Sequence, residues 1–342
     1  MPQVEISAPL SVLDDLGRPV NFGWARSPLF EFNSQLISGP VGRVTAADRY
    51  MLLSPTHMIT LEVLDGGYLG YIGVSIISLK DKKRSTQAYT IPFPLGGLAL
   101  PDRSDRGSVR YKRNKRLLEF TAMEGGARII RVDFPKFGHH RYLRGEVVLS
   151  PLPNAESLVT HQPWLNEKGA FILFRRSPWY VAEGVMQFGT AELIFTRGNG
   201  WGIFDWNRGS RPRSDTRFWA SACGMVGEDK IGFTVGYGTA DADMGTENAF
   251  FVNGRLHKLD QVTFHINPAN WMESWRFTSN DNRLEMTFVP LQERVERSRI
   301  LFHSRRRRQV FGSFSGRVIL DDGSTLEFRD ISGMAERRKT TN

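Results

Sequence analysis

The segment GWGIFDWNRGSRPRSDTRFWASACG, residues 200–224, sets Trp201, Trp206 and Trp219 beside Asp205, Arg208, Arg211, Arg213, Asp215 and Arg217. On an extended strand Phe204 and Trp206 fall on the face opposite Asp205 and Asn207, so either way a carboxylate lies among rings. Two chemistries fit. One is an architectural Asp205–Arg208 ion pair that holds a turn, because buried charges are usually paired. The other is a carboxyl kept protonated by an apolar lining, able to give its proton to a bound ligand. In the second case Trp206 and Trp219 would face the developing cation, at about 1–2 kcal/mol per desolvated contact.

A second run, TENAFFVNGRLHKL at 246–259, places Glu247 and Asn248 just before an apolar strand and His257 just past its turn. Glu247 is a second proton-donor candidate, with Asn248 and His257 as ligand contacts. The plainer alternatives are a loop or ion-paired carboxylate and a cross-strand polar histidine. Other near-motifs fail by counting. GSFSG at 312–316 has Phe314 where a nucleophile elbow needs Ser. DADMGTE at 241–247 brings its Gly one place early for a calcium loop and leaves Val252 where the bidentate Glu belongs. His139 and His140 form the only close histidine pair, so no metal-ligand spacing is present and no metal is expected. No nucleotide-binding glycine pattern is found, and no cofactor is expected.

The elements that position these residues are read from alternation and turns. RLLEFTAMEGGARIIRVDF (116–134) gives two strands around Glu124-Gly125-Gly126, and FFVNGRLHKL (250–259) turns at Asn253-Gly254, a strong hairpin signal. RLEMTFVPL alternates Leu284, Met286 and Phe288, and GRVILDDGSTLEF turns at Asp321-Asp322-Gly323. Helical periodicity with caps is almost absent, which predicts an all-β protein of barrels. A length of 342 residues exceeds one ordinary core, and LSPLPNAESLVTHQPW (149–164) breaks the strand rhythm. Two β units follow, 1–155 and 156–342.

Composition limits the function classes. Hydrophobic residues at 40% and charged residues at 24% suit a folded chain. The longest apolar stretch, Tyr68 to Leu79, is too short to span a bilayer and reads as one or two buried strands. The N-terminus carries no secretory pattern and Cys223 is the single cysteine, so a cytoplasmic protein is expected. The net charge of +9 is scattered through clusters such as RYKRNKR and Arg305–Arg308, without the aromatic-interleaved strip that stacks bases. Specific nucleic-acid binding is therefore not expected, membrane contact is at most peripheral, and Arg305–Arg308 are expected on the surface.

Seven segments in order, GWARSPLFEFN, FDWNRG, FWASACG, TENAFFVNGRLHKL, FVPLQERVER, QVFGSFSGRV and a terminal GMAE, cover nearly the whole chain. Together they resemble the family called domain of unknown function 2804. The resemblance implies two lipocalin-like (calycin-like) antiparallel β-barrel domains in tandem, distantly similar to carotenoid hydratases, tocopherol cyclases and fungal cyclases. It further implies action on large apolar molecules without redox cofactors. After DWNRG, where the family pattern has a Trp and then a Tyr, this chain has Arg211 and Arg213. Arg forks bind carboxylate or phosphate, so an apolar ligand carrying an anionic group is favoured over a pure hydrocarbon. The expected function is binding of a lipid-like, isoprenoid-like or polyketide-like molecule by a carrier or sensor, with Trp206, Arg208, Arg211, Arg213, Trp219, Asn248 and His257 as contacts. The alternative is an acid-catalysed hydratase, isomerase or cyclase using Asp205 or Glu247.

Overall fold

A computed structural model describes residues 3–138, 141–238 and 240–341. Apart from three single 3₁₀ turns, the described secondary structure is entirely β. Three short strands, β1 (Leu10–Ser11), β2 (Gly23–Ala25) and β3 (Phe30–Glu31), precede the meander β4 (Val44–Leu53), β5 (His57–Gly66), β6 (Leu69–Ser78) and β7 (Lys83–Pro92). A second meander follows: β8 (Gly107–Arg113), β9 (Arg116–Ala122), β10 (Arg128–Phe137) and β11 (Arg141–Pro151). Then come β12 (Leu158–Pro163), β13 (Phe171–Phe188), β14 (Ala191–Phe195) and β15 (Trp201–Ser210). The second half holds β16 (Ser214–Val226), β17 (Asp229–Gly238), β18 (Ala249–Val252), β19 (Arg255–Lys258), β20 (Val262–His265) and β21 (Trp275–Ser279). Three long strands close it, β22 (Leu284–Ile300), β23 (His303–Ile319) and β24 (Thr325–Thr341).

Apart from β1 and β3, which pair in parallel with each other, these strands make two curled antiparallel sheets, as the alternation predicts. The first runs β7-β6-β5-β4-β15-β13-β11-β10-β9-β8, with β12, β14 and β2 attached, and the second runs β19-β18-β17-β16-β24-β23-β22-β21-β20. The turn residues do what their types allow. Asn253 (φ 51°) and Gly254 (φ 85°) both take the left-handed region that a two-residue hairpin turn requires. Tyr68 to Leu79 resolves into one strand, β6, buried along almost its whole length.

The passage between the sheets comes later than expected. Leu149 to Trp164 lies inside the first sheet, where Leu152 to Ala155 merely turn between β11 and β12, and the chain enters the second sheet only between Ser210 and Ser214. The division at 155/156 thus cuts through the first sheet. Three residues, Arg211-Pro212-Arg213, suffice to cross, so no long composition change marks the place.

Each sheet buries one face in its own core, and its strands at the junction bury the other face against the neighbouring sheet. Phe204 and Trp206 join Tyr50, Leu52, Leu173 and Phe120 inside the first barrel. Phe233, Phe250, Phe277, Phe288, Phe314 and Trp275 fill the second. Between the sheets Met51, Leu53, Ile77 and Ile203 meet Trp219, Cys223, Phe311 and Met334. Along the junction strands, such as β15, what is outside for one barrel is inside for the pair, while β7, β8 and β10 keep exposed residues on their outer side.

Candidate functional site

Asp205 faces the second sheet, not the first barrel. It accepts from Arg49 Nη1 at 2.8 Å, Arg176 Nε at 3.2 Å and its own strand neighbour Asn207 at 2.7 Å. Arg176 bridges on to Glu247 and to Thr234 Oγ1 (2.9 Å), and Glu247 takes two further bonds from Arg217, at 2.9 and 2.6 Å. The chain Arg49–Asp205–Arg176–Glu247–Arg217 thus links residues of both sheets. It extends through Glu62, which pairs with Arg49 at 2.8 Å, with Arg305 at 3.0 Å and with Arg307. Arg307 in turn holds Glu336 at 2.6 Å. The Arg176 guanidinium carbon is 4.7 Å from the ring centres of both Phe174 and Trp219.

This arrangement decides protonation. Burial alone would push the Asp205 carboxyl up, but Arg176, Arg49 and Arg217 outweigh it and bring it down to about 2. Burial is likewise outweighed at Glu247 by Arg176 and Arg217, at Glu62 by Arg307, Arg49 and Arg305, and at Glu336 by Arg307, and all three sit below the ordinary carboxylate value. At neutral pH these carboxyls hold no proton to give. The space beside Asp205 between the sheets is about 20 Å³, room for about one water. The junction therefore fastens the two domains together.

The other expected residues are spread over several places. Arg208 lies three positions from Asp205 and so on the other face of β15; it pairs with Asp48 at 2.9 Å, donates to Pro101 O at 2.9 and 2.5 Å, and covers the Trp206 ring at 4.5 Å. The Asp205–Arg208 pair does not form. Arg211 is buried at the crossing between the sheets, where burial, with Arg305 nearby, lowers it to about 10 despite the opposing charge of Asp215. Arg213 is exposed, and its backbone N–H meets Glu167. Trp219 packs between the domains and donates to Thr234 at 3.0 Å. Asn248 ties Gly236 N (2.6 Å) to Asp260 O (2.6 Å), and His257 is bound to the turn at Asp321 (3.2 Å). Arg305–Arg308 also depart from expectation. Arg305 and Arg307 are buried in the junction because the outer face of β23 is covered by the first sheet, while Arg306 and Arg308 point the other way. His139 and His140 lie outside the described residues. Among the described residues no group of His, Cys, Asp and Glu is placed to hold a metal, and no helix is long and apolar enough to cross a membrane.

Space large enough for a ligand opens instead at the mouth of the first barrel. A cavity of about 530 Å³ is walled by Leu29, Phe30, Phe32, Val159, Leu173 and Trp206, and rimmed by Asp102, Arg103, Ser104, Asp105 and Arg106. A second, of about 350 Å³, shares Phe32 and Asp102 with it and reaches Arg208. Behind Ser104 lies a polar cluster. Arg175 donates to Ser104 Oγ at 3.3 Å, and Arg128 donates to Ser104 O and, at 3.3 Å, to Tyr50 Oη. Burial raises the Tyr180 phenol, but Arg128 and Arg175 outweigh it and leave it below its ordinary value. Of the expected contacts only Trp206 and Arg208 line these spaces. The PLFEFN part of the first family segment contains Leu29, Phe30 and Phe32, so that signal was present; Arg128, Arg175 and Tyr180 carry no local mark. A third cavity of about 260 Å³ lies along the seam between β17 and β20 and includes Glu247, Asn248, Gln162 and Tyr237.

Comparison with known proteins is consistent with this architecture. No curated protein matches the sequence. The structure is similar to the crystal structure of CghA, with TM-score 0.58 and 10% identity over 96% of both chains. It is similar also to CghA with Sch210972, with TM-score 0.56 and 9% identity over 88% of this chain and 89% of that one. Kievitone hydratase from Nectria haematococca gives TM-score 0.46 and 10% identity over 87% and 88%. At such identities the likeness concerns the fold, two tandem lipocalin-like domains. The model of the family described as domain of unknown function (DUF2804) matches residues 3–341, and the chain belongs to that family.

Proposed function

We propose that the protein binds an amphiphilic small molecule, lipid-like, isoprenoid-like or polyketide-like, at the mouth of its first barrel and holds it as a carrier or sensor. The observation that carries this reading is the cavity of about 530 Å³, with an apolar wall at Leu29, Phe32, Leu173 and Trp206 and a rim that includes Arg103 and Arg106. Such a volume lies in the ordinary range for small-molecule sites. The apolar body would rest on Trp206, and an anionic group would meet Arg106, since Arg103 is already held by Asp105 at 2.9 and 2.6 Å; Arg211 and Arg213, on which the anionic expectation rests, do not line this cavity. The test is native mass spectrometry of protein purified from its own host, followed by affinity measurement with the copurifying molecule. Trp206→Ala and Leu173→Arg should each weaken binding at least tenfold; unchanged affinity in both would defeat the reading.

A second reading, turnover as a hydratase, isomerase or cyclase, is favoured by Tyr180. It is a buried phenol behind the cavity wall, and Arg128 and Arg175 outweigh burial and hold it below its ordinary value. Under this reading it replaces Asp205 and Glu247 as the proton source. Tyr180→Phe should then keep affinity and abolish conversion of the same molecule.

A further inference from the structure

The strands β22, β23 and β24 set like charges directly opposite one another. Arg306 is registered against Lys339 on one side and Arg297 on the other, and Arg308 against Arg337. Period two sends Arg305, Arg307 and Arg338 into the junction and the intervening residues to the opposite face. That face is the inner face of the second barrel, because Val310 and Ala335, two positions on, belong to its core. Arg306, Arg308, Arg337 and Lys339 therefore line one side of the barrel's open end.

There they line a hollow of about 300 Å³ together with Pro268 and Trp271, and no carboxylate is among its described lining. Trp271 is buried and forms the floor. Arg308 lies over its ring at 4.8 Å and Arg337 over Phe218 at 5.7 Å. Phe218 is itself stacked between Tyr237 (4.8 Å, 8°) and Trp271 (6.4 Å, 12°). The two guanidiniums are thus laid against fixed rings. One acid is close, Glu293, which pairs with Arg308 at 2.9 Å and leaves the other three cations without a carboxylate in this hollow.

Directly opposed like charges destabilise a sheet. Here two such pairs follow each other on one face, about 5 Å apart across the strands and about 7 Å apart along them. A grid of cations with that spacing, on an aromatic floor and inside a small hollow, suits the oxygens of one or two phosphoryl groups, which arginine meets with paired N–H donors. We propose that the open end of the second barrel binds a phosphate-bearing ligand, held by Arg306, Arg308, Arg337 and Lys339. This site is separate from the cavity at Trp206.

The experiment is calorimetric titration of the full chain with inorganic pyrophosphate at low salt, beside sedimentation with phosphatidylglycerol and phosphatidylcholine vesicles. The double variants Arg306→Gln/Lys339→Gln and Arg308→Gln/Arg337→Gln are compared with Arg113→Gln/Lys115→Gln, which removes two charges from the exposed turn after β8. Arg306→Gln/Lys339→Gln should fold with unchanged or higher Tm, since opposed charges are removed, Arg308→Gln/Arg337→Gln should stay folded although it also releases Glu293, and both should lose pyrophosphate binding at least tenfold. The control should bind as wild type does. Vesicle binding that needs the four cations, without pyrophosphate binding, would assign the phosphate to a lipid headgroup. Equal weakening in the control, or no binding of either probe, would overturn the proposal. Trp206→Ala should leave pyrophosphate binding intact, so this test and that of the first cavity fail independently.

Discussion

Replacing Asp205 with Asn keeps the shape of the side chain and removes the charge that Arg49 and Arg176 share. The wild-type carboxyl falls from 3.8 to about 2 in the folded protein. That difference corresponds to about 2 kcal/mol favouring the ionised folded state. The amide adds a second cost, because its NH₂ must face one of the guanidiniums, donor against donor. Breaking one side of a buried pair typically costs about 3–5 kcal/mol, so a loss of about 3 kcal/mol is expected at pH 7. A carboxylate depressed in the folded state contributes fully above about pH 4 and loses that contribution as pH falls toward 2. By pH 3 about half of the ionisation part remains, so the gap between wild type and variant should narrow by about 1 kcal/mol. Urea unfolding at pH 7 and pH 3, with the slope unchanged, measures both quantities. A loss below about 1 kcal/mol at pH 7, or a gap that stays constant down to pH 3, would refute the fastening role of the junction.

Other perturbations follow from the same geometry. His161 is buried among Phe22, Phe30 and Phe171, and burial brings it down to about 4. Its neutral form is favoured by folding, so stability should fall by up to about 3 kcal/mol as pH drops from 6.5 to 4. His161→Phe should flatten that slope, and equal slopes in both proteins would exclude the histidine as its source. Arg307→Met leaves Glu62 and Glu336 short of a partner and should cost about 3–5 kcal/mol in chemical unfolding, whereas Arg306→Gln next to it should stay within about 0.5 kcal/mol. Comparable losses would mean that the two faces of β23 are wrongly assigned. At Gly184 (φ 146°) a Cβ would meet Glu146 O at 2.2 Å, backbone that cannot swing aside. Gly184→Ala should therefore lower stability by at least about 2 kcal/mol, and Gly198→Ala, where nothing is near, should not.

Much of the local structure was legible because it depends on neighbours in the chain. Asn253-Gly254, Asp321-Asp322-Gly323 and the alternation of Leu284, Met286 and Phe288 each specify a turn or a face without help from distant residues. A buried charge at Asp205 was legible for the same reason. Its partners were not, since Arg49 lies 156 positions away and is brought near only when β4 pairs with β15. Alternation also says which residues share a face, not what covers it. Arg305 and Arg307 sit on what a single barrel would give to solvent, and the first domain takes that place. The cavity wall at Leu29 and Phe32 was present in the family segment but had no visible link to Trp206, because the N-terminal segment is brought to the barrel mouth by the pairing of β2 with β12, more than 130 positions on.

The position of β15 in the first sheet has a consequence for how the protein is made. Before residues 201–210 exist, β4–β7 and β8–β14 are two separate meanders, for β4 and β13 meet only through β15. On the ribosome both must wait with a bare strand edge, one at β4 and one at β13, until more than half of the chain has emerged. Unpaired edges of this kind invite association with other chains, and closing a long loop onto them is slow. Ten residues then complete the sheet at a stroke, and the same ten present Asp205 to the domain synthesised next. Assembly is thus ordered by sequence position: while residues 201–210 are still inside the ribosome the chain holds two sticky half-sheets, and once Ser210 has left the exit tunnel it can hold one joined sheet whose buried-to-be arginines and acids still face water.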